Sequence, residues 1–307
     1  MPTETARPAL FETERLAQRR DRANRCGFAG RGDFLHAEIA VLLAERLAEV
    51  TRDFQDAVII GSGGGVHADA LRDRVANIRQ VEWSAARAAQ AGVDATEFSD
   101  TLPVAPESCD LIVSALELHW ANDPVGQLIQ MRRALRPDGL MVAAMFGGQT
   151  LTELRDVLSR AEIEATGGLS PRIAPMGEIR DLGGLLQRAG LTMPVADSER
   201  LRVTYENAVA LMRDLRGMGE TNILTDRRRV GMTKGTLQRL GELYASEHPA
   251  EDDRIQTTFE IVFLTGWAPS PDQPTALRPG SAKTRLADAL AVPEHKLADK
   301  AVPRRKS

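Results

Sequence analysis

A four-residue apolar run, Ala57-Val58-Ile59-Ile60, stops abruptly at Gly61-Ser62-Gly63-Gly64-Gly65, and this junction narrows the possible folds more than any other feature. Every position of the run is apolar rather than every second one, as in a strand buried on both faces. The glycines allow positive φ angles and let a ligand approach the main chain closely. A helical stretch from about Val66 to Val75 is expected next, and its first turn would present unpaired N–H groups.

The alternation continues on both sides. Asp33 is placed to cap a helix running to about Val50, with Phe34, Ile39, Leu42, Leu43 and Leu47 as its buried stripe. Ile78–Val81, Asp110–Ser114 and Leu140–Phe146 read as further strands, with a helix over Pro124–Leu135 and a turn at Arg136-Pro137-Asp138-Gly139. Strands alternating with helices imply a parallel sheet over residues 33–190. Arg200–Tyr205 and Thr257–Thr265 then read as a late, hairpin-like pair of strands. They are separated by helices over 206–217 and 226–247, an insertion (about 206–248) expected to form a lid over one sheet edge. The predicted architecture is an α/β Rossmann-like sheet, mostly parallel, with a late antiparallel strand and a helical insertion.

Two outer segments differ from this body, residues 33–267. Residues 1–32 form an arginine-rich N-terminal helical segment with Arg15, Arg19, Arg20, Arg22, Arg25 and Arg31, read either as a solvated face or as a contact surface. Residues 268–307 hold six prolines and eight Lys/Arg against four Asp/Glu, a net +4, and are expected to be a disordered basic tail. That tail makes peripheral contact with an anionic membrane conceivable, although no apolar run is long enough to span one.

Net charge, −4 over 307 residues, argues against nonspecific nucleic-acid binding. Two isolated cysteines, Cys26 and Cys109, provide neither a disulfide framework nor metal-ligand spacing. The histidines are scattered, and His67-Ala68-Asp69 would point its two side chains to different helix faces, so no metal site is expected. Glu4, Glu12, Glu14 and Asp21 among the early arginines are unlike an organellar leader, and a cytoplasmic protein is expected. The oligomeric state is not legible.

The chemistry starts at the glycine loop. About 20 residues beyond it, at the end of the second strand, Glu82 is placed to accept hydrogen bonds from ribose hydroxyls. Dinucleotide, phosphate and S-adenosylmethionine (SAM) sites all use such loops. Gly61-x-Gly63-x-Gly65 has the spacing of SAM binders, whereas Val66 departs from the dinucleotide pattern and no Gly-Lys-Ser/Thr follows. A structural glycine turn without a ligand is the alternative.

With Leu135-Arg136-Pro137-Asp138-Gly139, this loop resembles the class I SAM-dependent methyltransferases. A narrower resemblance, from about Leu10 to Trp267, is to respiratory complex I assembly factors of the protein-arginine hydroxylase type. It is carried by Leu118-His119-Trp120-Ala121-Asn122-Asp123, Ala144-Met145-Phe146-Gly147-Gly148-Gln149-Thr150-Leu151, Gly168-Leu169-Ser170-Pro171-Arg172 and Leu215-Arg216-Gly217-Met218-Gly219-Glu220-Thr221-Asn222. The resemblance implies SAM as cofactor, held by Gly61, Gly63, Gly65 and Glu82, with Asp100 a shifted substitute for the acid near adenine. Ile59 stands where the family fold usually has an acid that holds the methionine end. The resemblance also implies a complex I subunit as substrate.

His119 and Trp120 follow a strand at the carboxyl edge, where open α/β sheets bind ligands. His119 is a candidate base or positioning group, and Trp120 a stacking surface for a guanidinium or adenine; packing at a strand–helix junction is the alternative. Three functions fit: arginine modification in complex I assembly, methyl transfer to a small molecule or carrier-protein-bound substrate, and a non-enzymatic assembly chaperone.

Overall fold

The computed structural model describes residues 9–26, 33–61, 63–97, 99–274 and 284–292. Much of the expected tail (275–283 and 293–307) lies outside the described residues, as do residues 1–8 and 27–32. The chain divides into Met1–Ser270, which holds the sheet, and Pro271–Ser307, whose described part contains a short helix, Leu286–Ala289.

Six strands form one sheet: β1 (Phe54–Ile60), β2 (Val75–Val81), β3 (Cys109–Ala115), β4 (Leu135–Phe146), β5 (Thr192–Tyr205) and β6 (Ile255–Trp267). Their order is β2-β1-β3-β4-β6-β5. The first four are parallel, and β6 runs antiparallel to both β4 and β5. The mostly parallel sheet with a late antiparallel strand is therefore as the sequence predicts. Between β2 and β3 the described residues contain no strand.

Why the central strands are apolar throughout is visible in the packing. Ala57, Ile59, Leu111, Val113, Leu140 and Val142 enter one buried cluster, while Val58, Ile60, Ile112, Met141 and Ala143 enter another on the opposite face. The first face is covered by α2 (Asp33–Ala48), α3 (Val66–Leu71), α6 (Thr152–Thr166), α8 (Ala208–Gly217) and α9 (Lys234–Glu247). The second is covered by α5 (Pro124–Ala134) and α7 (Ile179–Arg188). The stripe of α2 is Leu35, Ile39, Leu43 and Leu47, all fully buried, whereas Phe34 is exposed. Each such side chain contributes roughly 1.5–3 kcal/mol of burial free energy.

Several sequence expectations are corrected. The helix after the glycine loop ends at Leu71, because Val75 is already needed in β2. The late helix starts at Lys234 rather than near residue 226, where the Thr233 hydroxyl caps it by accepting from the Thr236 amide. The insertion is no lid over a sheet edge. Leu211, Leu215, Leu240, Leu243 and Tyr244 of α8 and α9 belong to the main core, because each helix has one apolar face to bury. Arg136–Gly139 is an excursion within β4, with Asp138 at φ 61° and the register jumping from Cys109–Leu135 to Leu111–Leu140. Among the described residues no helix is long and apolar enough to cross a membrane.

α1 (Glu14–Arg25) lies against α8 and against α4 (Ala85–Ala91). Its Asp21 carboxylate accepts from Ser84 Oγ (2.7 Å) and from the Ala86 amide (3.0 Å), fastening it to the start of α4. Phe11 and Leu16 pack with Trp120, Ile223 and Leu224. The arginine-rich segment thus packs on the body of its own chain, with Arg20 buried.

Candidate active site at the carboxyl edge of the sheet

Gly61, Gly63, Gly64 and Gly65 all have positive φ, at 82°, 56°, 74° and 104°, a run that side chains would strain. The Gly61 amide donates to the Val81 carbonyl at 3.0 Å, which ties the bend to the end of β2. Close approach is required as well. A Cβ at Gly61 would lie 2.5 Å from the Ala115 carbonyl oxygen and 2.7 Å from Glu117 Cγ, and one at Gly63 would lie 2.7 Å from His67 Nε2. The loop is therefore packed under Glu117, His36, His67 and Gln90. Glu82 is fully buried at the end of β2, and its Oε1 accepts from the Ser84 amide at 3.0 Å.

Arg20 reaches into this region from α1. Its Nη1 donates to Glu117 Oε1 at 2.5 Å, and its Nη2 lies 3.4 Å from both the Leu116 carbonyl and Glu220 Oε1. Gly219, at φ 77°, makes room for it, since a Cβ there would lie 2.4 Å from Arg20 Cγ. Arg87 of α4 donates to the Met218 carbonyl. Three carboxylates, Glu82, Glu117 and Glu220, thus share a buried region with two guanidinium groups. Burial, together with the nearby charge of Glu82, pushes Glu117 up to about 7, against the pull of Arg20. Burial disfavours the Arg20 charge, but Glu117 and Glu220 outweigh it and raise its affinity for its proton.

Two histidines close the other side. His36 Nδ1 and His67 Nε2 are 3.1 Å apart, and burial holds both imidazoles neutral, with His67 lowered to about 3. Asp69 is exposed and pairs with Arg72, so His67 and Asp69 do diverge as the sequence implied. Among the described residues, Arg20 Nε, Arg87 Nη1, His36 Nε2, His67 Nδ1 and Ser114 Oγ are buried without a hydrogen-bond partner. Each such atom costs about 1–3 kcal/mol, and this density of donors and acceptors matches a region completed by a polar ligand.

His119 and Trp120 lie in a single helical turn, Leu118–Trp120, after β3. Both converge on Glu220: His119 Nε2 is 3.1 Å from Oε2, and Trp120 Nε1 donates to the same oxygen at 2.7 Å. Burial opposes ionisation of Glu220, but His119, Arg20 and Arg87 outweigh it and hold the carboxyl below its ordinary range. Trp120 stands edge-on to Phe11, and His119 lies against Phe146 with ring centres 4.7 Å apart. Trp120, Phe146, Leu154, Met176, Glu220 and Phe259 are among the residues lining a cavity of about 500 Å³.

The structure thus groups Gly61, Gly63, Gly65 and Glu82 in one buried region and His119 with Trp120 at a neighbouring cavity. Asp100 is exposed on a bend, where its main-chain carbonyl accepts from Gln130. It borders a crevice with Trp83, Glu117 and Trp120. Ile59 is wholly inside the core. The nearest carboxylate over the loop is Glu117, one residue before the Leu118-His119-Trp120 motif; its place at the carboxyl end of β3 was the available signal. The sequence marks Arg20 only as one arginine of a candidate contact surface and His67 only as half of a discarded metal pair, while Arg87 and His36 carry no local signal of a site.

A methyltransferase-domain family model matches residues 58–143, from the glycine-loop strand into β4. The YcgJ protein of Bacillus subtilis shares the fold, with a TM-score of 0.51 over 76% of this chain and 99% of that one at 14% identity. The malonyl-[acyl-carrier protein] O-methyltransferase of Xylella fastidiosa is 34% identical over 57% of each chain. The mitochondrial arginine-hydroxylase NDUFAF5 of Danio rerio is 33% identical over 91% of this chain and 89% of its own length. The expectation of a cytoplasmic protein is overturned by this relative, which is named as mitochondrial. Two of the early acids that suggested it make contacts within the fold, Glu12 with Arg227 and Asp21 with Ser84. The match over nine-tenths of the chain and the motifs converging on Glu220 together place this chain in the family of the arginine-hydroxylase NDUFAF5, the methyltransferase-like complex I assembly factors.

Proposed function

We propose that this chain acts in the assembly of respiratory complex I, binding SAM at its glycine loop and modifying an arginine of a complex I subunit. The observation that carries the reading is the meeting of Trp120 and the Glu220 carboxyl group on the wall of one cavity. An aromatic face beside a buried carboxylate suits a guanidinium, by cation–π attraction and by charge-assisted hydrogen bonding. His119 orients the carboxylate and shields it with Phe146.

The residues around the loop fit the cofactor's chemistry. Glu82 would accept from the ribose hydroxyls, and Arg20 and Arg87, each with an unpaired buried nitrogen, would donate to the methionine carboxylate. Entry requires the side chains of Glu117 and Gln90 to swing away from Gly61 and Gly64. When bound, SAM supplies a sulfonium methyl group as an electrophile. Hydroxylation, the reaction named for the relatives, draws on activated oxygen; the chain's own part in either chemistry is to hold and align the guanidinium.

The test is to delete the gene and measure complex I activity together with the mass of its subunit arginines. Loss of the modification, restored by the intact gene, supports the reading; an unmodified and fully active complex in both strains removes it. Calorimetry with SAM separates the cofactor from the rest. Absence of heat would favour assembly without the cofactor.

A further inference from the structure

A second cavity, of about 190 Å³, adjoins the first and is lined by Arg19, Arg22, Ala23, Cys26, Arg216 and Thr221. Arg19, Arg216 and Thr221 line both. Among the described residues, the guanidinium groups of Arg19, Arg22 and Arg216 face no carboxylate and make no hydrogen bond, and Thr221 Oγ1 is buried without a partner. Elsewhere around the large cavity the arginines are matched: Arg172 and Arg228 face Glu162, and Arg15, Arg227 and Arg229 face Glu12. Burial and the neighbouring charges of Arg227, Arg15, Arg22 and Arg216 weaken the hold of Arg19 on its proton, a sign of like charges gathered without a counter-charge.

We propose that Arg19, Arg22 and Arg216, with the Thr221 hydroxyl, form an anion subsite that receives an acidic side chain of the protein substrate near its target arginine. The inference rests on the arginine-modifying reading above and names the class of segment recognised. Three guanidinium groups offer forked, bidentate donors that suit a carboxylate, and the Thr221 hydroxyl adds a neutral donor. Charge balance gives the reason. An arginine entering the large cavity meets the guanidinium groups of Arg19 and Arg216, which no carboxylate neutralises and which repel it. A carboxylate on the same segment, docked in the side chamber, offsets that repulsion and fixes which arginine reaches Glu220. The chamber's size suits one side chain.

The test uses the full chain and three fluorescein-labelled twelve-residue peptides. The first has one arginine flanked by two glutamates; the second replaces both glutamates by glutamine; the third keeps the glutamates and replaces the arginine by glutamine. Anisotropy should show the second binding about tenfold more weakly than the first, and this gap should shrink below about twofold in Arg19→Gln/Arg216→Gln. Circular dichroism melting checks the fold of that variant, and Arg22→Gln, at an exposed position, should on its own narrow the gap by about threefold. Equal binding of the first two peptides, or no binding of any, overturns the subsite. So does stabilisation of the native chain by pyrophosphate that is lost in the double variant while the first two peptides bind alike, which would mark a small phosphate ligand. If the third peptide binds as tightly as the first, the arginine reading fails while the anion subsite stands.

Discussion

Arg20 Nη1 lies 2.5 Å from Glu117 Oε1, joining an N-terminal helix to the end of a central strand across 97 positions of sequence. Both side chains are buried, and the same guanidinium faces Glu220 at 3.4 Å. Removing Arg20 leaves the buried carboxyl groups of Glu117 and Glu220 without its donated hydrogen bonds and charge. Arg20→Met is expected to lower unfolding free energy by about 3–5 kcal/mol. Urea denaturation measures this, and Arg20→Met/Glu117→Met should be less destabilised than the single variant. A loss under about 1 kcal/mol in the single variant would mean that the pair does not hold the helix.

Glu220→Gln keeps the shape of the side chain but removes its charge. If the carboxylate receives the target guanidinium, modification should fall by about a hundredfold, and the melting temperature should fall as well, because buried Arg20 loses a charged partner. The readout is the modified fraction of the subunit arginine by mass spectrometry in a complemented deletion strain. Unchanged modification would exclude Glu220 from the arginine site.

Acid should destabilise this protein through its buried histidine pair. His67 is lowered from 6.5 to about 3, mainly by burial and then by the charge of Arg87. Between those values the unfolded chain binds a proton that the folded chain refuses. The stabilisation is therefore complete above 6.5 and declines as pH falls, by up to about 1.4 kcal/mol per pH unit, until pH reaches the folded value. Replacing His67 by Phe should flatten the stability–pH curve between pH 6 and 4 by roughly that slope. Identical slopes in the two proteins would mean that His67 titrates normally in the fold.

Two glycines with similar positive φ angles should respond differently to alanine. At Gly92, φ is 67° and a Cβ would meet nothing within 4 Å, so Gly92→Ala should cost only backbone strain, about 1 kcal/mol. At Gly63, φ is 56° and the Cβ would press on His67 at 2.7 Å and His36 at 3.0 Å. Gly63→Ala should cost a further 1–3 kcal/mol or so. Thermal unfolding of the two variants side by side checks the difference, and equal losses would show that the histidines yield freely.

Local pattern in the sequence was enough for the sheet. Ala57–Ile60, Leu111–Val113 and Leu140–Phe146 are apolar on consecutive positions because both sheet faces are covered, and that signature needs no long-range information. The positions of Gly61–Gly65 after a strand and of Glu82 at the next strand's end follow from the same alternation, whereas His119-Trp120 is singled out by the family resemblance. Element ends were less so: capping at Thr233 and the start of β2 at Val75 depend on which residues the neighbours require.

The electrostatic region was decided by tertiary structure alone. Arg20 is one arginine among several in α1, and only the docking of that helix buries it while Arg22 stays exposed. Glu117 and Glu220, 103 positions apart, become neighbours of one guanidinium because β3 and the turn after α8 end at the same edge. Periodicity records which face of an element is covered. It carries no record of which distant charge covers it, because a buried ion pair depends on contacts between segments that share no local spacing.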